Sequence, residues 1–114
     1  MSKAKSLGEF EILVMAALIR LGENAYGVTI RQEIESRAGR DVSIGALYTT
    51  LQRMEDKGLV ASHMGDATPE RGGRAKRFFE ITPKGRANFE RSVASLGAML
   101  KGLKPWPTAL RIHI

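Results

Sequence analysis

Cysteine is absent from this 114-residue chain. Disulfide scaffolds, thiolate zinc sites, iron–sulfur clusters and thiol nucleophiles are excluded with it. Long apolar runs are missing too: the longest, Ile12 to Ile19, falls far short of the ~20 residues that span a bilayer. Lys3 and Lys5 ahead of that run faintly imitate a signal peptide. Glu9 and Glu11, however, stand where its apolar region would begin, and no small-residue cleavage site follows. The expectation is a soluble, cytoplasmic protein with no membrane partner. Histidine is scarce: His63 falls in an expected strand and His113 in the tail, without metal-pair spacing. Ser43 has no identifiable histidine partner, and the acidic pairs Glu33/Glu35 and Glu55/Asp56 read as helix-surface charges without an apolar pocket. No enzyme, metal site or cofactor is expected.

What is present bounds the rest. The length suits one domain with a tail and is too short for two cores. Apolar residues at 43% are ordinary for a globular chain. Eighteen Lys and Arg oppose 12 Asp and Glu, a formal net charge of +6, which suggests a polyanionic partner, nucleic acid before membrane.

Ser6-Leu7-Gly8-Glu9 has the form of a capping box and opens an apolar helix expected over about 7–21, with Gly22 as its stop. Leu7, Phe10, Val14, Ala17 and Leu21 make one stripe, and Ile12, Met15 and Ile19 place apolar groups on the other side. A helix apolar nearly all round needs two covering surfaces, its own core and another subunit. Asn24 can cap a second helix over about 25–38, with Val28, Ile30 and Ile34 as apolar positions and Gly39 at its end. After the short link Asp41-Val42, Ser43 caps a third helix over about 44–57, closed by Gly58. Ile44, Leu47, Leu51 and Met54 form its apolar stripe.

Two strands are expected over about 59–64 and 76–82, joined by a turn containing Pro69, Gly72 and Gly73. Thr82-Pro83 then starts a fourth helix. Phe89, Val93, Leu96, Leu100 and Leu103 alternate four and three apart, a coiled-coil-type seam with no obvious partner in so small a chain. Pro105-Trp106-Pro107 stops that helix. The expected division is 1–82 as a winged helix-turn-helix domain, 83–104 as a dimerisation helix and 105–114 as a tail.

Three helices followed by a hairpin and a helix suit a winged helix-turn-helix, mainly α with a small β-hairpin, whose third helix enters the DNA major groove. The residue types fit that role. Ser43 and Gly45 let backbone N–H groups approach a phosphate at a helix N-terminus. Small Ala46 shares that face, Thr49, Thr50 and Gln52 offer hydrogen bonds to base edges or phosphates, Arg53 suits either, and Tyr48 offers a phenol. Arg71, Arg74, Lys76, Arg77, Lys84 and Arg86 cluster in or beside the hairpin with only Glu80 opposing them. That segment carries nearly all of the net charge, and its wing cations Arg71, Arg74, Lys76 and Arg77 are expected to bind DNA, lying along the phosphate backbone or dipping into a minor groove.

Tyr26-Gly27-Val28-Thr29-Ile30, Ser43 to Tyr48 with Leu51, Arg53, Met54 and Glu55, Gly58-Leu59-Val60, Gly72-Gly73-Arg74, Arg77-Phe78-Phe79 and Ile81 to Arg86 follow one another in order. The set resembles the PadR group of winged-helix transcription regulators over about residues 7–100. Two departures stand out: Thr49 replaces a common proline, and Phe78-Phe79 replaces an aromatic pair in which tyrosine is favoured. The resemblance implies a homodimeric repressor that binds a palindromic operator in double-stranded DNA. It also implies a paired C-terminal helix, with Phe10, Phe89, Val93, Leu96, Leu100 and Leu103 at the interface, and leaves room for a small-molecule inducer. Some short relatives stack flat aromatic ligands on a tryptophan of the last helix. Trp106 lies outside the expected helix, so that site is not transferred. The alternative is a winged-helix module that binds protein and not DNA.

Overall fold

The computed structural model describes residues 7–65 and 75–103. Its elements are α1 (Glu9–Leu21), a 3₁₀ turn (Gly22–Asn24), α2 (Gly27–Ala38), α3 (Ile44–Asp56), β1 (Val60–Met64), β2 (Arg77–Ile81) and α4 (Pro83–Leu100). This is the expected order. The turn from 66 to 74, with Pro69, Arg71 and Arg74, and the tail from 104, with Trp106, lie outside the described residues.

Local chemistry explains most boundaries. Gly8 is the N-cap of α1, and its N–H donates to the Glu11 carboxylate at 2.8 Å. The capping interaction therefore falls two residues later than the Ser6–Glu9 spacing suggested. Ser43 Oγ accepts the Ala46 N–H at 3.1 Å and Thr82 Oγ1 the Gly85 N–H at 3.0 Å, so both capping hydroxyls act where expected. Gly58, at φ +78°, ends α3 in a Schellman arrangement. Leu59 N–H donates to Met54 O and Gly58 N–H to Glu55 O, both at 2.9 Å.

Asn24 does not cap α2. The chain passes through the 3₁₀ turn, extends at Ala25 and starts the helix after Tyr26. Tertiary pairing overrides the capping preference: Phe79 N–H donates to Ala25 O at 2.9 Å, and Tyr26 bridges Phe78. This segment adds a rudimentary third strand to the hairpin, in which Val60 pairs with Ile81 and Met64 with Arg77.

The core joins Val14, Met15 and Leu18 of α1, Ile30 and Ile34 of α2, Leu47, Leu51 and Met54 of α3, and Leu59, Val60 and Phe79 of the hairpin. Ile30 and Ile34 are buried as expected, together with Gly27, but Val28, expected inside with them, is exposed. α4 meets its own protomer through the small and polar residues Gly85, Asn88 and Ser92. Ser92 Oγ accepts the Leu7 N–H at 3.1 Å. The apolar seam runs beside this face. Phe89 packs on the protomer core and Val93 and Leu100 are half-buried, while Leu96 (49%) and Met99 (77%) stay exposed. Leu103, expected on the same seam, is 48% exposed but lies beyond the helix: α4 stops at Leu100, ahead of the prolines expected to end it, because Lys101 is extended and Gly102 takes φ +75°. Phe10, expected at a subunit interface, also packs partly on the protomer core.

Candidate nucleic-acid interface

The outer face of α3 is assembled by the 3.6-residue period. Leu47, Thr50, Leu51 and Met54 point inward, leaving Gly45, Thr49, Gln52, Arg53 and Asp56 along the exposed side. Ala46 lies at one margin of this face and Ile44 and Tyr48 at the other, all three exposed. The N–H groups of Ile44 and Gly45 precede the first intrahelical bond, Leu47 N–H to Ser43 O, and have no acceptor within the helix.

Two residues exchange the roles that sequence reasoning gave them. Thr50 is only 7% exposed, so it cannot reach a base edge in this fold. It follows Leu47 by three residues and precedes Met54 by four, and that spacing already marks the inner face. Ile44, assigned to the apolar stripe, is 42% exposed. As the first helical residue it lies beyond the reach of the core.

Tyr48 is both a surface and a packing residue. Its phenol lies over Gly27 so closely that a methyl group there would overlap the hydroxyl. The small residue at the start of α2 is thus what lets the two helices meet at this point. The Tyr48 ring centroid also lies 6.3 Å from that of Phe79. On the face, Gln52 Nε2 donates to Asp56 Oδ1 at 3.0 Å. Arg53 makes no ion pair among the described residues.

The cations beside the hairpin are not equivalent. Lys76 Nζ sits 4.6 Å from the centre of the Tyr26 ring. Arg77 donates to Glu55 and Ser62. Lys84 Nζ donates to Lys57 O at 2.9 Å, closing the C-terminal end of α3. Arg86 is exposed on the first turns of α4. Phe78 and Phe79 also divide the work. Phe79 is core, while Phe78 stacks on His63 at 5.8 Å and meets the Tyr26 edge at 5.4 Å.

The link between α2 and α3 is held by Glu35. Its Oε2 accepts the Val42 N–H and the Arg31 Nε–H, each at 3.2 Å. The Val42 amide first, and Arg31 second, hold this carboxyl below the usual carboxylate range. No spacing pattern announces this bond, because it joins a helix side chain to the backbone of the following loop.

Among the described residues no helix is long and apolar enough to cross a membrane. Nor is there, among them, a cluster of three or more His, Asp or Glu that could hold a metal ion.

The sequence profile of the Transcriptional regulator PadR-like family matches residues 14–91. Over 62 residues the chain is 44% identical to transcriptional regulator Rv3488 of Mycobacterium tuberculosis, covering 54% of this chain and 53% of that protein. The alignment thus spans about half of that relative's length. The fold is similar to that of a PadR-like transcriptional regulator from Bacillus cereus, with a TM-score of 0.66 at 22% identity, covering 79% of this chain and 82% of that one. It is also similar to F93 from STIV, a winged-helix DNA-binding protein, with a TM-score of 0.68 at 19% identity over 86% of this chain and 98% of that one.

Proposed function

This chain belongs to the Transcriptional regulator PadR-like family, and from that premise we propose that it is a homodimeric repressor that reads a palindromic operator with α3. The observation that carries this reading is the outer face of α3. Gly45, Thr49, Gln52 and Arg53 stand together in solvent on a helix whose opposite side is locked into the core. The face is narrow and polar, with the small residues Gly45 and Ala46 in its first turn, which suits entry into a major groove.

In that reading the N–H groups of Ile44 and Gly45 meet a backbone phosphate at the positive end of α3. Thr49 and Gln52 face base edges, and Arg53 pairs with a guanine edge or a phosphate. Lys76 and the two arginines beyond it, Arg71 and Arg74, supply the wing's charge to the adjacent backbone. The exposed Leu96 and Met99 on α4, with Leu103 exposed just beyond its end, support pairing with a second copy, since apolar groups on a short helix gain most when covered. A two-fold pair presents two copies of α3, and successive major-groove turns require them about 34 Å apart. Occupying the operator then denies the site to the transcription machinery.

The test is to sequence the DNA fragments that co-purify with the protein and titrate the enriched duplex against it at several salt concentrations. A palindromic element with half-sites one turn apart, and affinity falling by about one power of salt per phosphate neutralised, is the expected result. Binding that ignores salt, or no enriched sequence, overturns the reading.

A further inference from the structure

Arg77 lies at the outermost pair of the hairpin, opposite Met64, where the sequence pattern counted it among the phosphate-binding cations. We infer that Arg77 is instead a positioning residue, clamping the wing to the recognition helix through Glu55 and Ser62. The inference rests on the DNA-binding reading above and concerns how that interface is held.

The geometry is a closed ring across three elements. Arg77 Nη2 donates to Glu55 Oε1 of α3 at 3.0 Å, and Arg77 Nε donates to Ser62 Oγ of β1 at 3.0 Å. Ser62 Oγ donates to Glu55 Oε2 at 2.8 Å. Both carboxylate oxygens of Glu55 are therefore used. The guanidinium also lies 5.7 Å from the centre of the Phe79 ring, on the same strand and in the core. Its planar fork suits this double engagement, whereas a lysine has one point charge and cannot span both acceptors.

A clamp is needed here for a physical reason. A two-stranded hairpin of five residue pairs is marginal alone, and its outer end lies farthest from the core. Elsewhere the hairpin is tied at its base and along the α2 side: Thr82 N–H bonds Leu59 O, Phe79 N–H bonds Ala25 O, and Tyr26 bridges Phe78. Only the Arg77–Glu55 pair joins the outer end of the hairpin to α3 by an ion pair among the described residues. It sets the angle at which the wing leaves the reading face. With Glu55 opposite it, the Arg77 charge is also largely neutralised toward any phosphate.

The two roles predict opposite signs. Operator binding is measured by fluorescence anisotropy with the full chain and the co-purified duplex, across salt concentrations, alongside thermal melting. Under the clamp, Glu55→Gln and Arg77→Lys each weaken binding by about three- to ten-fold, of the order of one hydrogen-bonded ion pair. The double variant is no worse than the weaker single, and the salt exponent stays at the wild-type value. Ser62→Ala, which leaves both charges in place, gives a smaller loss of the same sign and serves if either charge variant fails to fold. If Arg77 were a phosphate contact, Glu55→Gln would tighten binding by removing a negative charge, and Arg77→Lys would keep it. Arg77→Met would then lower the salt exponent by about one. Any of those three results overturns the clamp and leaves the DNA-binding reading standing. A wild-type protein without salt-dependent binding defeats both.

Discussion

Gly85, in the first turn of α4, faces the carbonyl of Leu59 so closely that a single added methyl group would overlap the oxygen. The contact joins the start of α4 to the residue that closes α3. Thr82 Oγ1 donates to Gly58 O at 2.7 Å and Lys84 Nζ to Lys57 O at 2.9 Å beside it. The C-terminal end of α3 and the start of α4 are thus held at one junction. Gly85→Ala is expected to cost about 1–3 kcal/mol, as overpacking against an unyielding neighbour does. Chemical denaturation checks it, and a wild-type midpoint would show that the junction yields.

Ser43 separates stability from recognition. Ser43→Ala removes the acceptor for the Ala46 N–H and should lower stability by about 1 kcal/mol. Ser43→Asp keeps a capping oxygen, so its melting temperature should match or exceed the wild type. It also places a carboxylate where a phosphate is proposed to approach, so its DNA affinity should fall. Melting and anisotropy titrations on the two variants are expected to rank them in opposite orders.

Thr49 and Thr50 are neighbours with different fates. Thr49 is exposed on the outer face of α3 and Thr50 is buried. Thr49→Ala should change which bases are preferred at one operator position, with little effect on melting. Thr50→Ala should lower the melting temperature and leave the base preference alone. Selection from a randomised duplex pool distinguishes them.

The exposed seam on α4 predicts an oligomer that can be broken without unfolding the protomer. Leu96→Asp with Leu100→Asp is expected to sediment as a monomer and to lose tight operator binding. Its helical content should persist, because Gly85, Asn88 and Ser92 still hold α4 to its own protomer. A dimer in the double variant would locate the interface elsewhere.

Glu35 predicts a pH response at the acidic end. Its carboxyl is held below the ordinary value by the Val42 amide and Arg31. The folded state therefore binds that proton less readily than the unfolded chain does. The stabilisation is fully present above the ordinary carboxylate value and is lost as pH falls through the lowered one. Glu35→Gln should lower stability at neutral pH, leave the acid end nearly unchanged, and so flatten the acid limb of the stability–pH curve. An unchanged acid limb would mean that the link between α2 and α3 does not depend on this bond.

The order of helices, hairpin and helix was legible in the sequence, because each element is announced by short-range chemistry. Ser43 and Thr82 cap within three residues, Gly39 and Gly58 terminate helices at positive φ, and the apolar periods of α1 and α3 need no distant partner to be seen. The PadR resemblance was legible for the same reason, since its motifs lie on these local signals.

Only the tertiary structure decided which faces meet. It drew Ala25 and Tyr26 out of a helix start and into the hairpin's edge, turned Ile44 outward, and gave α4 a small polar face for its own protomer. It also separated the cations, since Arg77 finds Glu55 22 positions away and Lys84 finds Lys57 O 27 positions away. Spacing rules reach about one or two helical turns, and these partners are brought together by packing across elements. The sequence counts charges, and the fold determines which of them remain available to a partner.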